Sequence, residues 1–347
     1  MKESLLKWLV CPLTQEDLQL TVFEYDQNKY EIKEGRLKSV VSSNEYPIIN
    51  YIPVFVPNSG NIYPEFFNKY QKQFFVNPFS KYGKKLSHNE GLVQKGFGYE
   101  WRKYKTVSEK IDYDFVMAGN LTEQFYADKL ILDAGCGFGR HLNIIRRFSG
   151  TEVVGVDFSI AVLSAMEIVG FFPNVHIVQA DLFRLPFRLQ TFDLIYSWGV
   201  LHHTPDTKTA FFRLTPYVKP GGIFSLKVYR NIFPPAHQVQ KFIRFFTSRL
   251  PLGLLRFLCF FAYPFHFLNY RLGFRHIPIW SHLCRFFFKF SEDWPVSLND
   301  TFDWWHPRYN HYHKTAEVKQ WFEAMAFNDI TVAPDLEVAW GVKGFRD

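Results

Sequence analysis

Alternating glycines between two carboxylates form the part of this 347-residue chain whose residue types and spacing most plainly suggest chemistry. Leu130-Ile-Leu-Asp133-Ala-Gly135-Cys136-Gly137-Phe-Gly139 reads as a strand, a tight turn and the start of a helix. Glycines in such a turn let the backbone fold back sharply and approach a nucleotide-like cofactor. A dinucleotide loop needs its third glycine later, as G-x-G-x-x-G, but here Arg140 occupies that slot. Asp133 would repel a pyrophosphate and suits an ammonium group, directly or through water. Asp157 closes the next apolar run, Val153-Val-Gly-Val-Asp157, where it is placed to accept hydrogen bonds from a ribose diol.

With these residues the chain resembles the class I S-adenosylmethionine-dependent methyltransferases over roughly residues 97–230 and 310–345. Two later stations extend the resemblance. Gln179-Ala-Asp181-Leu182 falls where that family holds the adenine amino group with an acid and lines the ring with apolar neighbours. Phe192-Asp-Leu-Ile-Tyr-Ser197-Trp198-Gly-Val-Leu-His202-His203-Thr-Pro-Asp206 falls where its fourth strand delivers residues beside the transferable methyl. The cofactor implied is S-adenosylmethionine, and the cofactor set implied is Asp133, Gly135, Cys136, Gly137, Gly139, Asp157, Phe158, Ser159, Asp181, Leu182, Ser197 and Trp198.

Methyl transfer from a sulfonium needs donor and acceptor aligned in a water-poor pocket, an effect worth up to roughly 7–11 kcal/mol. A base matters for an alcohol or phenol acceptor and less for a carboxylate or free amine. His202 and His203, just past the fourth strand, are the candidate catalytic bases; a histidine there equally shapes the cofactor pocket. A second polar and aromatic group, Asp303, Trp305, His306, Arg308, Tyr309, His311 and His313, precedes the last helix. His306, Arg308 and Tyr309 are its candidate acceptor contacts. His311 and His313 alone make a weak metal pattern, and no metal is expected. Enzymes acting on planar amide or base nitrogens carry Asn or Asp, two prolines and an aromatic at the fourth strand; Tyr196-Ser-Trp198 disfavours those acceptors.

The elements that must position these residues alternate as in a Rossmann-like, doubly wound α/β fold: a mostly parallel seven-stranded sheet with an antiparallel last strand. Strands are predicted at 130–133, 152–156, 175–178, 193–197, 222–228, 330–333 and 337–340. Helices are predicted at 139–147, 160–169, 207–217 (ending at Lys219-Pro-Gly-Gly222) and 316–325. The methyltransferase domain spans 129–347 and is interrupted by an insertion at 230–300. Residues 59–128 read as linker and N-terminal helices. Residues 1–58, a small α+β module, resemble the zinc-ribbon methyltransferase-activator domain in Leu5-Leu-Lys-Trp-Leu-Val-Cys11-Pro-Leu-Thr14 and Tyr46–Pro57. Thr14 stands where the second knuckle cysteine would be, so a metal-free brace is expected.

Four scattered cysteines and the absence of a hydrophobic N-terminal run point to a reducing, cytoplasmic setting. The formal charge of +7 is concentrated: from Arg230 to Phe290 there are nine cations, fourteen phenylalanines and no acid. Pro251, Arg256, Pro264 and His266 argue against a membrane span, and an amphipathic helix pair roofing the acceptor pocket fits better. Its uses are a lid core, docking on an anionic membrane or lipid-linked substrate at the inner membrane face, or, least favoured, RNA. The leading expectation is a small-molecule, glycan or lipid-linked acceptor, acidic or lipid-linked beneath the basic lid. The alternatives are an RNA or protein methyltransferase, or a cofactor-binding protein without transfer activity. Oligomeric state is not encoded in these patterns.

Overall fold

The computed structural model describes residues 1–74, 86–104, 109–117, 122–231, 234–289, 291–333 and 338–344. Near the N-terminus, β1 (Leu18–Asp26), β2 (Glu31–Ser39), β3 (Glu45–Ile49) and β4 (Ile52–Pro53) pair as an antiparallel sheet in sequence order. The β1–β2 turn is set locally: Asp26 Oδ1 accepts from the amides of Asn28 and Lys29. This sheet does not stand apart. Val54 bridges Gln179, and Phe55 N donates to Gln179 O at 2.7 Å. Leu5 and Leu9 lie in one buried cluster with Leu132, Val154 and Phe187, while Ile49, Ile52, Val54 and Val56 join the cluster on the other face of the main sheet.

That main sheet is built from β5 (Leu130–Ala134), β6 (Glu152–Asp157), β7 (Val175–Gln179), β8 (Phe192–Trp198), β9 (Val218–Lys227), β10 (Phe327–Ala333) and β11 (Val338–Lys343). Its order is β10-β11-β9-β8-β5-β6-β7, with β11 antiparallel to both neighbours and the β7-β6-β5-β8-β9 run parallel. The central strands are nearly continuous in Val, Ile and Leu because both faces are covered. Ile131 and Val153 go to one core, Leu132 and Val154 to the other, as strand alternation requires.

Several boundaries differ from expectation. The third predicted helix, 207–217, ends as an α-helix at Leu214, and Lys219-Pro-Gly-Gly222 belongs to β9 rather than closing that helix. The helix at 160–169 is a short α-turn, Val162–Ala165, followed by a wider turn, Met166–Gly170. Glu337 of the last predicted strand lies outside the described residues. Within the stretch read as linker and N-terminal helices, a sixteen-residue helix, His88–Lys103, starts with a capping box in which Ser87 and Glu90 bond each other's backbone amides.

The insertion is not a helix pair. It holds Pro234–Thr247, Leu252–Cys259, Tyr263–Tyr270, Pro278–Phe287 and Trp294–Trp305. Leu255 and Cys259 pack with Leu298 and Phe302 of the last helix in a small core. Several of its phenylalanines face outward: Phe242, Phe257 and Phe261 are each at least 60% exposed. Its prolines and charges do not prevent a long apolar stretch. The helices Leu252–Cys259 and Tyr263–Tyr270 run on through a tight turn at Phe260–Ala262, and the nineteen residues Leu252–Tyr270 are long and apolar enough to cross a membrane by length and composition. Pro251 only caps it, and Pro264 falls in the first turn of its second segment, where a missing amide is cheapest.

Candidate active site

A cavity of about 440 Å³ opens at the C-terminal ends of β5, β6, β7 and β8, where open α/β sheets bind ligands. The glycine loop forms its floor. Gly135 adopts φ +100°, and a Cβ there would come within 2.4 Å of Val200, so only glycine fits. Gly137, at φ +53°, donates its amide to Asp157 Oδ2 at 3.0 Å. The other Asp157 oxygen accepts from the amide and hydroxyl of Ser159 at 2.8 and 2.7 Å. Asp157 therefore ties two loops together while still lining the cavity, and burial holds its carboxyl above the usual range.

Phe158, Ser159, Asp181, Leu182, Cys136 and Trp198 also line the cavity. Asp181 Oδ1 accepts from Phe183 N at 3.0 Å, and Trp198 Nε1 donates to Ser225 Oγ at 2.8 Å. Three expected cofactor contacts are placed elsewhere. Ser197, one residue from Trp198 on the same strand, faces the opposite way and donates to Ala134 O at 2.7 Å. Gly139 begins the helix Arg140–Ile145 in a left-handed conformation, where an added Cβ would run into Val169 and Ala165. Asp133 is buried behind the loop, off the cavity wall, with Oδ2 unpartnered; burial pushes its pKa up to about 8.

The two histidines separate in the same way. His202 is fully buried, its ring 3.9 Å between centroids from that of Tyr229 and tilted 31° to it, with neither ring nitrogen hydrogen-bonded, and it does not line the cavity. His203 does line it, and its Nδ1 lies 3.0 Å from Tyr309 O. Burial lowers its pKa to about 3, so the ring is neutral. With Nδ1–H donating to that carbonyl, Nε2 is left as the acceptor nitrogen.

Over this floor lie the helix His88–Lys103, through Gln94, Phe97, Glu100 and Trp101, and the roof helix Trp294–Trp305, through Asn299, Asp300 and Asp303. Gln94 Nε2 donates to Phe158 O at 2.9 Å, pinning one helix to the strand-end loop. Glu100 is completely buried and bonds His306 Nε2 through Oε2 at 2.9 Å, leaving Oε1 unpartnered. Its carboxyl is raised well above the normal range by burial, then by Asp303 and Asp300. Of the expected acceptor residues, Tyr309 lines the cavity, His306 sits behind Glu100, and Arg308 lies off the wall.

The roof side of the cavity is thus rich in carboxyl groups; Arg140 and Lys227 also line the cavity, and Lys289 is the one insertion cation among the described lining residues. Most of the insertion's cations therefore do not line the cavity among the described residues. Arg244 instead turns inward to bond Trp304 O at 2.6 Å, and Lys241, Arg249 and Arg271 are exposed on the outside. Glu100, Asp303 and His306 bring ligand atoms within 4.8 Å of one another, and among the described residues they are the group that could hold a metal ion. His311 and His313 are engaged elsewhere, with Thr204 O at 3.0 Å and Glu317 Oε1 at 3.1 Å. Glu100, Asn299 and Asp300 escaped the sequence reading. The spacing of Asp300 and Asp303, three apart on one helix, was the available signal.

Residues 132–226 match the family model described as a methyltransferase domain. Within that class the methyl donor is S-adenosylmethionine. The chain is 33% identical over 113 residues to a trans-aconitate 2-methyltransferase of Azoarcus sp. (strain BH72), covering 32% of this chain and 43% of that protein. It is 30% identical over 100 residues to a sterol 24-C-methyltransferase of Yarrowia lipolytica, covering 28% and 26%. It is 34% identical over 97 residues to a tRNA U34 carboxymethyltransferase of Pseudoalteromonas translucida, covering 27% and 30%. The matched stretches span less than half the length of these relatives. Among solved structures, a 1,6-didemethyltoxoflavin-N1-methyltransferase of Burkholderia thailandensis, with S-adenosylhomocysteine bound, aligns over 76% of this chain and 93% of that one, at 14% identity and a TM-score of 0.41.

Proposed function

We propose that the chain transfers a methyl group from S-adenosylmethionine to a small-molecule or lipid-linked acceptor held between the strand ends and the roof helix. The observation that carries this reading is the cavity itself: glycine loop, Asp157, Asp181 and Leu182 on one side, and a separately built polar wall on the other. The residues fit the cofactor. Asp157 and Asp181 offer carboxylate oxygens at two strand ends, Leu182 and Phe158 offer apolar surface, and Gly135 and Gly137 leave room for close approach. When bound there, S-adenosylmethionine supplies a methyl on a sulfonium, open to in-line displacement.

The chain's own work is to align and to dry the site. Trp101 and Phe138, with ring centroids 5.4 Å apart, and Trp198 against Phe115 at 5.3 Å exclude water around the floor. His203 presents its neutral Nε2 and would take the proton of a hydroxyl acceptor. Asn299, Asp300 and Asp303 offer hydrogen-bond acceptors, and Glu100, whose burial favours its protonated form, offers an O–H donor, a set that suits an acceptor bearing hydroxyl or amine groups. An RNA or protein acceptor draws support from the activator-like N-terminal module, but the carboxyl-rich roof side opposes a polyanion. In that module Cys11 Sγ lies 3.1 Å from Tyr46 Oη, which fits a brace without metal.

The test is calorimetric titration with S-adenosylhomocysteine, then measurement of cofactor turnover on panels of hydroxylated and amine acceptors. Binding and turnover are expected. Binding without turnover on any panel would favour a cofactor-binding protein, and no binding would end the proposal.

A further inference from the structure

We infer that the outer face of the insertion docks on an anionic lipid bilayer, a property that stands apart from the methyl-transfer reading. The stretch Leu252–Tyr270 carries large apolar side chains on its exposed face as well as apolar ones on its buried face. Its inward positions, Leu255, Cys259, Ala262, His266 and Asn269, recur at helical spacing and are all buried. Two of them are polar and are satisfied within the protein: His266 Nε2 lies 3.1 Å from Ser291 O, and Asn269 Oδ1 accepts from Trp280 Nε1 at 2.6 Å. Its outward positions are Leu254, Phe257, Phe260, Phe261, Tyr263 and Phe267, all exposed, with Phe257 and Phe261 at 60%.

The neighbouring helices repeat the arrangement. On Pro234–Thr247 the exposed apolar residues are Val239, Phe242, Phe245 and Phe246, with Phe242 at 68%, and on Pro278–Phe287 Ile279 is 76% exposed. A soluble surface scatters single apolar residues; a run of large aromatic side chains along consecutive helices marks an interaction surface.

The occupant follows from charge. Exposed cations, Lys241, Arg249, Arg271 and Arg275, are interleaved with these aromatics. No acid occurs between Arg230 and Phe290, and the first one beyond, Glu292, pairs with Arg275 at 2.9 Å. Phenylalanine with Arg and Lys, and without acids, is the composition that partitions into the interface of an anionic leaflet. The helix lies on the bilayer rather than crossing it, although it is long enough to cross: Leu255 and Cys259 are locked against Leu298 and Phe302, so only one face is free.

The experiment is flotation of the full chain with vesicles of phosphatidylcholine alone and of phosphatidylcholine mixed with phosphatidylglycerol. The expected result is binding to the mixed vesicles, weakened by salt, and lowered at least about tenfold in the triple variant Phe242→Glu, Phe257→Glu, Phe261→Glu. Lys241→Glu with Arg249→Glu should lower binding to mixed vesicles as well. Unchanged S-adenosylhomocysteine affinity would show that the variants are folded, and if the triple variant is not, Phe257→Ser alone serves with the salt series on the parent chain. Equal binding to both vesicle types, or binding that survives the triple variant, overturns the proposal. So does failure to float together with self-association or binding of single-stranded RNA that the triple variant abolishes, since the face then serves a second copy or a nucleic acid.

Discussion

Asp157 shows what residue types and spacing can and cannot reveal. Its place at the end of an apolar run, one strand after the glycine loop, marked it as a cofactor ligand. That it also accepts the Gly137 amide and both Ser159 donors depends on how two loops meet, which no local pattern encodes. Asp157→Ala removes charged hydrogen bonds of about 1.5–3 kcal/mol, so S-adenosylhomocysteine should bind roughly ten- to a hundredfold more weakly. Titration calorimetry with near-native circular dichroism checks this, and undiminished affinity would remove Asp157 from the site. Asp133 tests burial rather than contact. Its folded pKa of about 8 lies far above the ordinary carboxyl value, so the folded state holds a proton that the unfolded chain gives up. Stability is penalised as pH rises above about 4, and the penalty grows until pH passes the folded value. Asp133→Asn, which cannot ionise, should therefore gain on the parent in denaturant midpoint from pH 5 to about 8; parallel curves would show that the carboxyl titrates normally. Ser197 and His202 were read as site residues and are not on the cavity wall, because neighbours on a strand or a tight turn point different ways and spacing alone does not say which one faces in.

At the scale of elements, the strands of the main sheet were the most legible part, since residues buried on both faces leave continuous apolar runs bounded by turn residues. The insertion was the least legible. Its phenylalanines announce an apolar face on each helix but not the side on which that face lies, and the polar residues His266 and Asn269 are the ones turned inward. The helix Trp294–Trp305 is where this matters for catalysis. It places Asn299, Asp300 and Asp303 on the cavity while Phe302 is fully buried behind them. Phe302 packs with Leu255 and Cys259 and against the rings of Tyr99 and His306, 5.7 and 4.9 Å away. Phe302→Ala should cost about 3–5 kcal/mol of local stability. Limited proteolysis should then cut near the roof, and acceptor turnover should fall while cofactor affinity holds, because the glycine loop and Asp157 do not touch Phe302. Loss of cofactor binding in step with turnover would mean that roof and floor are not separable.

For the molecule as a whole, the first 58 residues are the decisive case. Composition and a broken cysteine knuckle describe a small separate module, but the chain uses it as part of both cores. Leu9 pairs with Phe187 through a backbone bridge, Val10 N donates to Pro186 O at 2.9 Å, and Arg188 N donates to Trp8 O at 3.0 Å. The N-terminal amine is itself buried beside Glu31, 3.3 Å away, and burial lowers its pKa to about 5. Elements that share a core unfold together, so this module should have no transition of its own. Leu9→Ala, at a fully buried position more than 100 residues from the glycine loop, creates a cavity worth about 2–5 kcal/mol. Its denaturant midpoint should drop to the same value whether followed by far-ultraviolet circular dichroism or by loss of S-adenosylhomocysteine binding. Two separated transitions, with cofactor binding outlasting the first, would instead return residues 1–58 to the status of an attached domain.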